Sequence, residues 1–261
     1  MGKYLFFLLF SFSFCNGQAF LEPRFKRQIK KIPVFKEAFL AVSISELETS
    51  EPLVSINDNK FMTPASNTKL LTYLAAIQNF DSLPSLYYSI KHDSVIKFKS
   101  SGYPLLLHPF YPDTDLTNFF KQDYDFEYVP PSVFPKSQGP GWSWDDYSYY
   151  YASERSPFPI FGNAFGITKV NNEIKTLPSG VEFILKNDSL APAALRDKNS
   201  NLFEINPLRL NEGDTLYRPF ITSDSLFVKL LGDALGKKIK LSTPEYKSVW
   251  IPLYTGAEEL L

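Results

Sequence analysis

The chain has 261 residues, enough for one large domain or two ordinary ones, and 44% of them are hydrophobic and 16% aromatic, as in a folded protein rather than a disordered one. Its 27 basic and 28 acidic side chains leave a net charge of −1, which excludes a global field drawing it to nucleic acid or to an anionic membrane face. Cys15 is the only cysteine, so neither a disulfide framework nor a thiolate metal site can form.

In chain order the first signal is an export leader. Lys3 precedes the apolar run 4–10, which continues through alternating Ser and Phe to Cys15, and Gly17 and Ala19 supply the small residues a leader peptidase accepts. The run is shorter than the roughly 20 apolar residues a membrane span needs, so residues 1–19 are expected to be a signal peptide cleaved after Ala19, exporting the protein to the periplasm. Lipidation of Cys15 is disfavoured by the bulky Phe14 before it. The basic run Arg24, Lys26, Arg27, Lys30 and Lys31 then reads as a solvated linker with at most a peripheral membrane contact.

Leu40, Val42 and Ile44 alternate with small residues at strand period, and 53–56 is a second short apolar segment beyond a turn-rich stretch, so a β-hairpin is expected. Leu70, Leu71, Leu74 and Ile77 fall on one helical stripe, opened by Pro64, which predicts a helix over 66–78. Short strands are expected over 86–107. The stretch 111–175 is dense in Pro, Gly and aromatics with few long periodic segments, as in a β-rich insertion, and 181–185 and 202–205 are further strand candidates. Residues 225–235 form an amphipathic helical pattern stopped by Gly236, and 255–261 resemble the opening turn of another helix. The expected division is 1–19 leader, 20–85 a first part that carries Ser66 and Lys69, 86–215 an inserted β-rich region, and 216–261 the start of a return to the first part.

The residues best suited to chemistry are Ser66 and Lys69. At this spacing on a helix a hydroxyl and an amine share one face, and a lysine can act as the base that activates a weak serine nucleophile. The alternative is a helix cap, Ser66, beside a solvated Lys69. Ser94 and Lys97 repeat the spacing, but in a strand-like segment where residues three apart point to opposite faces. His92 and His108 have no carboxylate at metal-ligand spacing, so no metal site is expected and no role is assigned to either. The aromatic cluster 142–151 reads either as packing or as a surface that stacks on sugars or peptide.

Phe61-Met62-Thr63-Pro64-Ala65-Ser66-Asn67-Thr68-Lys69, set between a hairpin and an alanine-containing helix, resembles the penicillin-binding D-alanyl-D-alanine carboxypeptidase/endopeptidases with large insertions in the catalytic domain. Gly139-Pro140-Gly141-Trp142-Ser143-Trp144-Asp145-Asp146-Tyr147, followed by Tyr151 and Asn163, is similar to a Trp-rich acidic segment of that family. Gly102-Tyr103-Pro104-Leu105 is similar to its Gly-Asp-Pro-Leu turn, with Tyr in place of Asp.

The resemblance implies an α/β (α+β) penicillin-binding/β-lactamase-like domain, an antiparallel sheet with helices, interrupted by a β-rich insertion. It also implies an acyl-serine hydrolase with Ser66 as nucleophile and Lys69 as base, Asp146 and Tyr151 as substrate-binding residues, and no cofactor. Its partners would be peptidoglycan stem peptides, with β-lactam antibiotics as covalent inhibitors. The family's Ser-x-Asn and Lys-Thr-Gly motifs do not follow. Ser223-Asp224-Ser225 reads as a helix cap, Ser55-Ile56-Asn57 precedes Ser66, and Tyr254-Thr255-Gly256 lacks the lysine. The expectation is therefore a chain incomplete at its C-terminus with impaired activity, the alternative being a non-catalytic cell-wall-binding or degenerate fragment.

Overall fold

A computed structural model describes residues 21–91, 94–243 and 248–255. The expected leader at 1–19, His92 and the final turn at 256–261 lie outside the described residues. The chain divides into two compact units, Met1–Leu74 and Ala75–Leu261.

In the first unit, α1 (Leu21–Ile29) precedes the antiparallel hairpin β1 (Val42–Ser45) and β2 (Pro52–Ile56), as the alternation of Val42 and Ile44 predicts. Register pairs Val42 with Ile56 and Ile44 with Val54, then slips at Ser45, which faces Pro52. Proline has no N–H to give the ladder, so its place at the start of an irregular edge costs no bond. Val54 is the one fully buried side chain among this unit's described residues. A single-turn 3₁₀ helix, Ala65–Asn67, leads into α2 (Thr68–Asn79), which runs across the boundary between the units. The regular helix thus begins two residues later than the stripe predicts.

The second unit holds the hydrophobic core. β3 (Leu86–Lys91) and β4 (Val95–Ser100) form a hairpin, α3 (Thr114–Lys121) crosses over, and β5 (Asp125–Tyr128) returns parallel to β4. A parallel pair requires a crossover, and the helix supplies it. α3 is absent from the sequence expectation, although Asp113 caps it by accepting the Leu116 N–H at 2.8 Å and Leu116, Phe119 and Phe120 bury its inner face. The chain then carries β6 (Ala164–Val170), β7 (Glu173–Leu177), β8 (Phe183–Leu185), β9 (Ala194–Arg196), β10 (Phe203–Ile205) and β11 (Thr215–Pro219), arranged as two three-stranded sheets ordered β11-β6-β7 and β8-β10-β9.

After β11, α4 (Asp224–Leu235) leads to β12 (Ile239–Leu241) and β13 (Ile251–Leu253). These strands close the two edges of a five-stranded mixed sheet, ordered β12-β5-β4-β3-β13. Phe227, Leu230 and Leu231 of α4 and Ile239 of β12 belong to the same core cluster as Leu86 and Phe98, so burial assigns 224–253 to this unit. Phe98 sits at the centre of that core, its ring centroid 4.9 Å from Phe120 and 5.4 Å from Tyr128. Tilted and edge-on contacts of this kind let aromatic rings fill a core densely.

Candidate active site

Ser66 lies in the 3₁₀ turn and Lys69 at the second position of α2, and the lysine Nζ stands 3.5 Å from the serine Oγ. Two local features give that approach. Ala65 takes a left-handed conformation, φ +45°, which tightens the chain ahead of Ser66, and Thr68 fastens the turn by donating its hydroxyl to the Ala65 carbonyl at 2.9 Å. Both Ser66 and Lys69 are exposed, and α2 carries no buried residue. Leu70 and Leu71 are 68% and 70% exposed, so the apolar stripe read from the sequence is present but uncovered. Ser94 and Lys97 are not paired in this way: β4 begins at Val95, and the buried Lys97 ammonium lies 3.9 Å from the Glu127 carboxylate.

Asp146 and Tyr151 belong to the second unit, on the irregular segment 142–152, where two single-turn 3₁₀ helices, Asp146–Ser148 and Tyr150–Ala152, follow one another. The Tyr151 hydroxyl donates to Asp146 Oδ1 at 2.8 Å, and that bond, more than its slight desolvation or the nearby negative charge, raises the phenol above its ordinary range. The Tyr149 and Tyr151 rings lie parallel, 5° apart in plane and 5.6 Å between centroids. The segment is held from beneath. Ser148 is buried and accepts the Arg196 N–H, the Arg196 guanidinium lies 5.2 Å from the Tyr147 ring, and that of Arg218 lies 5.8 Å from the Tyr149 ring.

Upstream, Trp142 packs so closely on Gly139 that a Cβ there would stand 2.6 Å from the indole nitrogen, so any larger residue would have to push the indole aside. Arg155 donates to the carbonyls of Lys136 and Gln138, fixing the start of the same loop. Arg196 and Arg218 escape a sequence reading because they join the segment from strands tens of residues away. Asn163 is a structural residue, buried and donating to the Glu154 carbonyl and Ser156 Oγ. Tyr103 reaches a carboxylate instead of replacing one: its hydroxyl donates to Asp113 at 2.7 Å, and burial with that bond pushes its titration far up. His108 is held by its neighbours, its Nδ1 accepting from the Phe110 and Tyr111 N–H groups. Among the described residues no group of His, Cys, Asp and Glu is arranged to hold a metal ion.

Ser66 and Lys69, now seen within reach of each other, lie inside a stretch with a known relative. Residues 22–117 match the D-Ala-D-Ala carboxypeptidase 3 (S13) family. The S13 stretch covers the hairpin, the Ser66 turn, α2, the first sheet hairpin and the start of α3. A similar fold occurs in the crystal structure of penicillin binding protein 4 (dacB) from Haemophilus influenzae, with a TM-score of 0.53 at 17% identity over 82% of this chain and 55% of that one. A second crystal structure of that protein, complexed with a novel β-lactam, has a TM-score of 0.44 at 14% identity over 81% of this chain and 53% of that one. The chain spans about half the length of these structures. No curated protein matches it significantly. The mixed α/β architecture is similar to the part of penicillin binding protein 4 that this chain spans.

Proposed function

We propose that the protein is a serine-type D-alanyl-D-alanine carboxypeptidase/endopeptidase acting on peptidoglycan stem peptides through an acyl-serine intermediate. The observation that carries this reading is the 3.5 Å approach of Lys69 Nζ to Ser66 Oγ within the stretch that matches the S13 family. In this mechanism Ser66 Oγ attacks the carbonyl carbon of the penultimate D-alanine while Lys69 takes the hydroxyl proton. The tetrahedral oxyanion collapses, the C–N bond breaks, and the proton passes to the leaving amine. Water then attacks the acyl-serine ester and returns Ser66 to its starting state. The sequence needs no metal or organic cofactor.

Asp146 and Tyr151 are proposed to hold the stem peptide, the half-buried carboxylate being suited to a cationic diamino side chain and Tyr151 orienting it through the 2.8 Å bond. The leader read at 1–19 would place this chemistry in the periplasm. A labelled penicillin tests the catalytic proposal: the chain should be acylated, and both Ser66→Ala and Lys69→Ala should lose the label while retaining their circular dichroism. A chain that labels equally well without Ser66 overturns it. A non-catalytic cell-wall binder is favoured by the exposed rings of Trp144 and Tyr151, and would appear as unlabelled protein that still sediments with peptidoglycan.

A further inference from the structure

The first unit presents a surface that the proposed chemistry does not use. Between residues 21 and 39 the chain carries six basic residues, Arg24, Lys26, Arg27, Lys30, Lys31 and Lys36, against two acidic ones, Glu22 and Glu37, although the protein as a whole has a net charge of −1. All six are exposed. Glu22 is engaged internally, taking the Lys26 ammonium on one oxygen and the Ser55 N–H on the other, so it offsets Lys26 and leaves the other five cations to act outward.

Phe25 and Ile29, on the stripe that begins at Leu21, are half-buried, and α1 packs against β2, which anchors the helix to the hairpin. The chain that follows is not anchored in this way. Ile32, Val34, Phe35 and Phe39 all project into solvent, with Val34 67% and Phe39 98% exposed. Pro33 opens the single 3₁₀ turn Pro33–Lys36 that lifts Val34 and Phe35 between Lys31 and Lys36.

Apolar side chains interleaved with lysines on a protruding turn suit an interface that is oily beneath and anionic above. A bilayer surface offers both, whereas a protein groove covering Val34 and Phe35 would have to desolvate or pair the neighbouring ammonium groups. We propose that residues 21–39 form a peripheral docking surface for anionic phospholipid, with Val34, Phe35 and Phe39 entering the headgroup boundary and Arg24, Arg27, Lys30, Lys31 and Lys36 lying among the phosphates. The charge term comes from several cations acting together, and salt screens it within about 8 Å at physiological ionic strength.

The test is co-sedimentation of the full chain with vesicles of pure phosphatidylcholine or of phosphatidylcholine with phosphatidylglycerol, at low and high salt. Binding should require phosphatidylglycerol and weaken as salt rises. Lys30→Glu/Lys31→Glu and Val34→Asp/Phe39→Asp should each reduce it by at least about tenfold, since each near-surface charge or buried apolar group carries a several-fold factor. Lys136→Glu/Lys175→Glu, the same charge change in the second unit, should leave it intact. The proposal is overturned by equal binding to pure phosphatidylcholine, or by binding that survives both first-unit variants, either of which would assign attachment to other apolar segments such as 1–20. It is equally overturned if the control pair matters as much, or if the first-unit variants change only the solution mass, which would mean that a second copy covers the turn.

Discussion

Ala65 holds a φ of +45° immediately before Ser66, a conformation in which a Cβ crowds the backbone at a cost of roughly 1–2 kcal/mol. The strain turns the chain so that Ser66 precedes the helix instead of riding on it, and Lys69 still reaches it because the 3₁₀ turn and the first α-turn stack end to end. The pairing of hydroxyl and amine was legible from spacing; the turn that produces it was not, because nothing in an alanine announces a left-handed backbone.

His108 illustrates the same limit with a measurable consequence. Its Nδ1 accepts two backbone N–H groups at 3.2 Å, its ring stacks on Tyr111, and burial lowers its pKa from the ordinary 6.5. As pH falls through 6.5 the unfolded chain takes up this proton before the folded one does. The stabilisation is therefore complete above that pH and is lost as pH falls toward the depressed folded value. The urea midpoint of the wild type should drop between pH 7.5 and pH 5. The drop should be smaller in His108→Asn, which offers the same N–H groups an acceptor that does not titrate. The difference between the two proteins isolates His108, and identical drops would refute the assignment.

At the scale of elements, α4 was readable because each of its signals is local. Ser223 caps it by accepting the Leu226 N–H at 3.1 Å, Phe227, Leu230 and Leu231 repeat at helical spacing, and Gly236 ends it at φ +64°. Ser223→Ala should cost about 1 kcal/mol, read as a lower urea midpoint, because it strands a first-turn N–H that water satisfies less well. A substitution with no effect would mean that water or Ser225, whose hydroxyl lies 3.1 Å from that of Ser223, replaces the cap.

α3 carries the same grammar in Asp113, Leu116, Phe119 and Phe120, but compressed into eight residues within a stretch rich in Pro and Gly, where two turns of pattern do not stand out. Strand pairing was less legible still. The parallel partnerships of β5 with β4 and with β12 join segments separated by a helix or by more than a hundred residues, and depend on which apolar faces meet in the folded core.

At the scale of the molecule, the two units differ in how much they bury. The first has Val54 alone fully inside among its described residues, while the second draws strands and helices from residue 86 to 241 into one cluster. The Ser66 and Lys69 pair thus stands on the thinner unit, and the aromatic segment with Asp146 and Tyr151 stands on the thicker one. Phe98 is the natural probe of that larger core, fully buried and in ring contact with Phe120, Phe126, Tyr128, Phe158 and Phe227. Removing its ring leaves a cavity that five other rings, already packed on their own neighbours, cannot all collapse to fill, so Phe98→Ala should cost about 3–5 kcal/mol. The three tryptophans, Trp142, Trp144 and Trp250, all belong to the second unit, so their fluorescence reports its unfolding. Val133→Ala, at a side chain 78% exposed in the same unit, should shift that urea transition by no more than about 0.5 kcal/mol. If the two variants unfold at similar urea concentrations, Phe98 is not the centre of a close-packed core, and the crossover of α3 and the parallel return of β5 that depend on it are misplaced.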